Sequence, residues 1–123
     1  MSEEFVLDLS QVQQPPPGNY LVAVRLAEAR TSVAGNKTIF LRLEILEPSE
    51  WAGHTMVDSL VMQGNVAPFA LQRAYAAVKA IMDDPNLTRI RPEDMVGRLV
   101  YVLTQPDPRD GAPRPRSYAP CKS

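Results

Sequence analysis

The chain has 123 residues, 45% of them hydrophobic and 22% charged, which fits one globular domain whose core needs no staples. No apolar run approaches the ~20 residues of a membrane helix, and Met1-Ser2-Glu3-Glu4 lacks the basic and apolar stretches of a signal peptide. A single cysteine, Cys121, excludes an internal disulfide framework, and a net charge of −1 excludes a strongly basic coat for duplex DNA.

Residues 1–18 end in Gln-Gln-Pro-Pro-Pro-Gly and read as an extended arm, because three prolines remove three donors and hold φ near −65°. Phe5, Val6, Leu7 and Leu9 give that arm an apolar face for a neighbouring surface or subunit. The domain proper is expected over 19–120, with 121–123 as a tail. Tyr20, Val22, Val24 and Leu26 alternate with Leu21, Ala23, Arg25 and Ala27, predicting a first strand to about Arg30. Gly35-Asn36 marks a reversal into 37–47. There Ile39, Leu41, Leu43 and Ile45 share one face, while Phe40, Arg42 and Glu44 share the other.

After a break around Trp51 and Gly53, residues 54–62 form a third strand whose inward phase the pattern leaves open. The period then changes. Asn65 is the expected cap of a helix over 66–82, with Pro68 in its first turn and Leu71, Ala74, Tyr75, Val78, Ile81 and Met82 as its apolar stripe. Pro92 to Gly97 reads as one helical turn. A fourth strand spans Arg98–Thr104, a Pro-rich loop 105–115, and a short fifth strand Arg116–Ala119.

The expected fold is therefore mainly β: a five-stranded, OB-like, partly open barrel with one α-helix between strands 3 and 4, in the order β-β-β-α-β-β. Such barrels hold oligonucleotides on strands 2 and 3 and with the loops joining strands 1–2 and 4–5. Phe40 and Arg42 fall on strand 2. Residues 1–60 carry four Lys/Arg against eight Asp/Glu, whereas residues 61–123 carry nine against six. From Arg109 onward, Arg109, Arg114, Arg116 and Lys122 face Asp110 alone. A nucleic-acid contact must then be local, with Phe40, Trp51 and Tyr118 as stacking candidates and Arg25, Arg42, Arg109, Arg114 and Arg116 as phosphate contacts.

The chain resembles a family of small phage- and plasmid-encoded proteins similar to single-stranded DNA-binding proteins. The resemblance rests on Pro16-Pro17-Gly18-Asn19-Tyr20, Thr31-Ser32-Val33-Ala34-Gly35-Asn36, Ile45-Leu46-Glu47, Gly53 and Pro92-Glu93-Asp94-Met95-Val96-Gly97-Arg98, and covers roughly residues 15–120. It implies an OB-like fold and a role in phage or mobile-element DNA replication or recombination, in the cytoplasm of a bacterial host. It supplies no set of binding residues. Ala119-Pro120-Cys121-Lys122-Ser123 differs from the acidic tail of the better-known bacterial single-strand binders.

Each of these residues has an ordinary structural use as well. Phe40 either stacks on a base or is covered by the arm, a helix or a second subunit. Trp51 either stacks or plugs a barrel end. The loop arginines either hold phosphates or keep a loop solvated. Catalytic chemistry is not expected, and neither is a cofactor or metal. His54 and Cys121 are single residues of their kind, and Asp83-Asp84 and Glu93-Asp94 sit at helix boundaries, where carboxylates serve the backbone. The expected function is non-enzymatic, largely sequence-independent binding of single-stranded DNA, or of RNA, by a monomer or a homodimer formed through the arm or the sheet. The alternative is an interaction or structural module on the same fold.

Overall fold

The computed structural model describes residues 3–5 and 14–121. Five strands, β1 (Asn19–Thr31), β2 (Lys37–Glu47), β3 (Thr55–Gln63), β4 (Leu99–Pro106) and β5 (Pro113–Pro120), form one antiparallel sheet in the order β3-β2-β1-β4-β5. One helix, α1 (Pro68–Met82), lies between β3 and β4 in sequence. Strand β2 has the bounds that alternation predicts, and Ile39, Leu41, Leu43 and Ile45 are all buried. They pack with Tyr20, Val22 and Val24 of β1, Val100 and Val102 of β4, and the buried face of α1. Full burial of each large aliphatic side chain stabilises the fold by ~1.5–3 kcal/mol.

The β1–β2 reversal is closed by local bonds. Ser32 N–H donates to Asn36 O, Gly35 N–H to Ser32 O and Asn36 N–H to Ser32 Oγ. Gly35 sits at φ +86°, a conformation that side chains rarely adopt. Strand β1 is bulged at Arg25, which has no partner between the pairs Val24–Leu43 and Leu26–Arg42. A second bulge falls at Arg116, skipped between Leu103–Ser117 and Thr104–Pro115.

In β3 the buried residues are Met56 and Leu60, so Asp58 shares the inward phase. That polar residue is why the pattern left the phase open. Helix α1 starts two residues later than expected. Ala67, not Asn65, is its N-cap, and no side chain caps it; Pro68 takes the first turn. Asp83 ends the helix in the left-handed conformation, with its N–H on Ala80 O. Asp83-Asp84 thus terminates a helix, and Glu93-Asp94 lies in the 3-10 turn Pro92–Met95.

The Pro-rich segment 105–115 is also not the loop that its composition suggests. Strand β4 runs on to Pro106 and β5 starts at Pro113, leaving a tight turn at 107–112. Asp107 builds that turn: its N–H and carbonyl bond Ala112 O and Gly111 N–H. β5 is an edge strand, where a missing N–H is tolerated, and three of its eight residues are proline.

Side chains bring the edge strands β3 and β5 together. Tyr118 of β5 donates its hydroxyl to Asp58 Oδ2 of β3 at 2.8 Å, and Arg114 Nη1 reaches Val57 O at 3.5 Å. Arg73 of α1 donates through Nη2 to Asp58 Oδ2 at 2.8 Å and to Pro115 O at 2.7 Å. The last residues of the expected arm are tied down: Pro15 is buried, Tyr20 donates its hydroxyl to Pro16 O, and Gly18 exchanges hydrogen bonds with Thr104. Phe5 is exposed, while Val6, Leu7, Leu9 and Lys122 lie outside the described residues. Among the described residues no helix is long and apolar enough to cross a membrane.

Candidate nucleic-acid interface

Strand pairing on the outer face of the sheet sets Phe40 opposite Ser59 and Arg42 opposite Val57. The β4–β5 turn lies beside them, and between the two is a cleft of about 510 Å³. Phe40, Val57 and Ser59 line one side; Arg109, Arg114 and Arg116 line the other. Arg73, Asp58 and Asp107 complete its charged wall, so four arginines face two aspartates. The protein as a whole is slightly acidic, yet this cleft carries an excess of positive charge.

The arginines differ in what they can still do. Arg109 donates Nε and Nη2 to the two oxygens of Asp107 at 3.1 and 2.9 Å, and its backbone N–H caps the same carboxylate. Its side chain is 83% exposed, and among the described residues its Nη1 group has no hydrogen-bond partner. Arg114 is committed on all sides, to Asp107 at 3.0 Å, Asp110 at 3.5 Å and Val57 O. Arg116 stands on its bulge, exposed, with no carboxylate within 4 Å among the described residues. Bulges re-aim side chains in this way. Phosphate contact is therefore open to Arg109 and Arg116, while Arg114 is a structural tie.

Asp107, not Asp110, is the main counter-charge of this group. The Arg109 hydrogen bonds, with help from Arg114, hold the Asp107 carboxyl well below the usual carboxylate range. A group whose folded pKa is depressed adds stability that is complete above its unfolded pKa, ~3.9 for Asp, and that is lost as pH falls through the folded value. A carboxyl-carbon NMR titration should find Asp107 still ionised at about pH 3, with the amide shifts of 107–112 constant to that point. An ordinary midpoint near 4 would show the turn to be held by other means.

Four of the sequence candidates lie outside the cleft lining. Arg42 is exposed one step along the same outer face and has no ion pair among the described residues. Arg25 is paired with Glu44 at 3.5 Å. Trp51, in the 3-10 turn Ser49–Trp51, is half-buried against the core and meets His54 edge-on at 5.3 Å. Tyr118 is not the exposed ring that its basic neighbours suggest. It stands opposite Val102, packs on the core, and burial with the nearby Asp58 pushes its phenol up. Its hydroxyl donates to Asp58 instead of facing solvent.

Sequence reasoning missed Arg73, Asp58 and Asp107. Arg73 carries no signal beyond its place on a helix. Asp107, two residues before Arg109 and four before Gly111, has the spacing of a side chain that folds back on its own turn.

A second cleft, about 450 Å³, lies between α1 and residues 87–90, with Met62, Val78, Leu87 and Ile90 in its lining. It presents apolar surface with Lys79 and Arg89 beside it, and is lined by none of the Phe40-side residues. Among the described residues no three His, Cys, Asp or Glu side chains group as metal ligands. No protein-family model matches this chain, and no curated protein sequence matches it.

Proposed function

We propose that this protein is a non-enzymatic, OB-like module that binds single-stranded DNA, or RNA, with little sequence preference. The observation that carries the reading is one cleft lined by Phe40 on β2 and by Arg109 and Arg116 from the β4–β5 hairpin. Single strands need those two components side by side, a π-face for bases and cations along the backbone. Three features support the OB-like assignment: β1 pairs with both β2 and β4, the helix lies between β3 and β4, and β3 and β5 are bridged by side chains. The cleft then falls on the face and loop where such barrels take oligonucleotides. The resemblance to phage-encoded single-strand binders points the same way and suggests replication or recombination as the setting.

The direct test is titration of labelled oligo-dT, and of duplex of equal length, at low and moderate salt. Binding to oligo-dT, weakened by salt, is expected; a duplex preference or no binding would overturn the reading. Phe40→Ala should weaken oligo-dT binding about tenfold, since one stacked base is worth ~1–3 kcal/mol.

The second reading is an interaction module on the same fold. Leu99, Tyr101 and Leu103, all exposed on one face of β4, favour it. In that case Phe40→Ala leaves oligonucleotide affinity unchanged, and Tyr101→Asp lowers the oligomer mass measured by light scattering.

A further inference from the structure

Phe40 does not stand alone on the outer face. Its cross-strand partner is Glu28, and Arg30 lies one diagonal away, opposite Thr38. The Arg30 guanidinium carbon sits 3.9 Å over the Phe40 ring centroid. Its Nε and Nη2 groups donate to Glu28 Oε2 at 3.2 and 2.8 Å. Half of the Arg30 side chain remains exposed. One face of Phe40 is thus covered by a guanidinium that a carboxylate holds in place.

Two properties decide what that arrangement offers a ligand. Paired with Glu28, Arg30 presents little net charge to a phosphate. What remains available is its planar, delocalised and weakly hydrated surface, a surface that stacks on aromatic rings. Phe40 backs that plane from below.

We propose that Arg30 is itself a nucleobase-stacking subsite. Its guanidinium, backed by Phe40 and oriented by Glu28, takes a base on its outer face, so the β1–β2 hairpin holds one base beyond the one on Phe40. This inference rests on the proposed single-strand binding and adds a residue and a subsite to it.

The test compares wild type, Arg30→Lys and Arg30→Ala on labelled oligo-dT and on the same length of abasic deoxyribose-phosphate, after thermal unfolding has shown the variants folded. Lysine keeps the charge and loses the plane. Arg30→Lys should weaken oligo-dT binding about fivefold, close to the loss in Arg30→Ala, with an unchanged salt slope and unchanged affinity for the abasic strand. Arg30→Lys binding oligo-dT as tightly as wild type would overturn the subsite, as would tighter binding by Arg30→Ala, the mark of a lid over Phe40. Absence of oligo-dT binding by wild type would remove the proposed function and this subsite together. Wild-type binding with an unaffected Arg30→Lys variant would remove the subsite alone.

Discussion

Asp58→Ala should destabilise the protein by about 3 kcal/mol, enough to lower the melting temperature by about 10 °C in a chain of this size. The carboxylate joins three elements. Oδ2 accepts from Arg73 of α1 and Tyr118 of β5, and Oδ1 accepts the Ser59 N–H within β3. Its side chain is only 11% exposed. Removing it strands a guanidinium and a phenol that have already lost water, and such truncations cost more than the pair contributes when intact. The figure lies at the low end for a buried pair because Arg73 is one-third exposed. Urea unfolding gives the value directly. A loss below about 1 kcal/mol would mean that the β3–β5 seam is held by packing alone. Tyr118→Phe should cost about 1 kcal/mol in wild type and much less in the Asp58→Ala background.

The second large effect concerns the cleft. Arg109→Glu combined with Arg116→Glu should lower affinity for oligo-dT about a hundredfold at low salt and flatten the salt dependence by about 1.4 in slope, two contacts at ~0.7 each. These two side chains are chosen because each has donors to spare, whereas Arg114 is occupied. Arg114→Glu would be a poorer choice, since Arg114 ties Asp107, Asp110 and Val57 O together and is mostly covered. Arg109 is 83% exposed and, among the described residues, bonds Asp107 alone. Fluorescence anisotropy over a salt series checks the claim. An unchanged slope would show that phosphates are neutralised elsewhere, with exposed Arg42 next to be tested.

The parts of this structure that local periodicity controls were legible in the sequence. Strand β2 was found residue for residue, because four aliphatic positions alternate without interruption. The Pro92 turn and most of the helix stripe follow from spacing in the same way. Tyr75, expected in that stripe, is instead exposed and donates its hydroxyl to Met62 O, while Ala77 and Ala80 are buried. Residues whose role depends on distant partners were not legible. Asp58 looked like an interruption in a weak strand because Arg73 and Tyr118, which satisfy it, lie 15 and 60 residues away. Pro113 and Pro115 suggested a loop because nothing local reveals that β5 lies at a sheet edge.

The candidate site divides along the same line. Phe40 and the arginine cluster could be read from alternation and composition, and the cleft unites them. Which arginines remain available depends on the turn that folds Asp107 back onto Arg109 and Arg114, and on the bulge that turns Arg116 outward. Tyr118 stands among basic residues in the sequence, which suggests an exposed ring. The same bulge shifts the phase by one residue and sends the ring inward.

The prolines of β5 have a consequence for copies of this chain crowded together. An unprotected outer strand is a template on which another chain can zip, the first step towards aggregates of stacked sheets. Pro113, Pro115 and Pro120 leave gaps in the row of donors along β5 and make it a poor template. On the proposed single-strand binding, molecules side by side on one nucleic-acid strand would meet at high local density, where accidental edge pairing is hardest to reverse. The residues that look like loop punctuation thus make edge-to-edge pairing through β5 unfavourable.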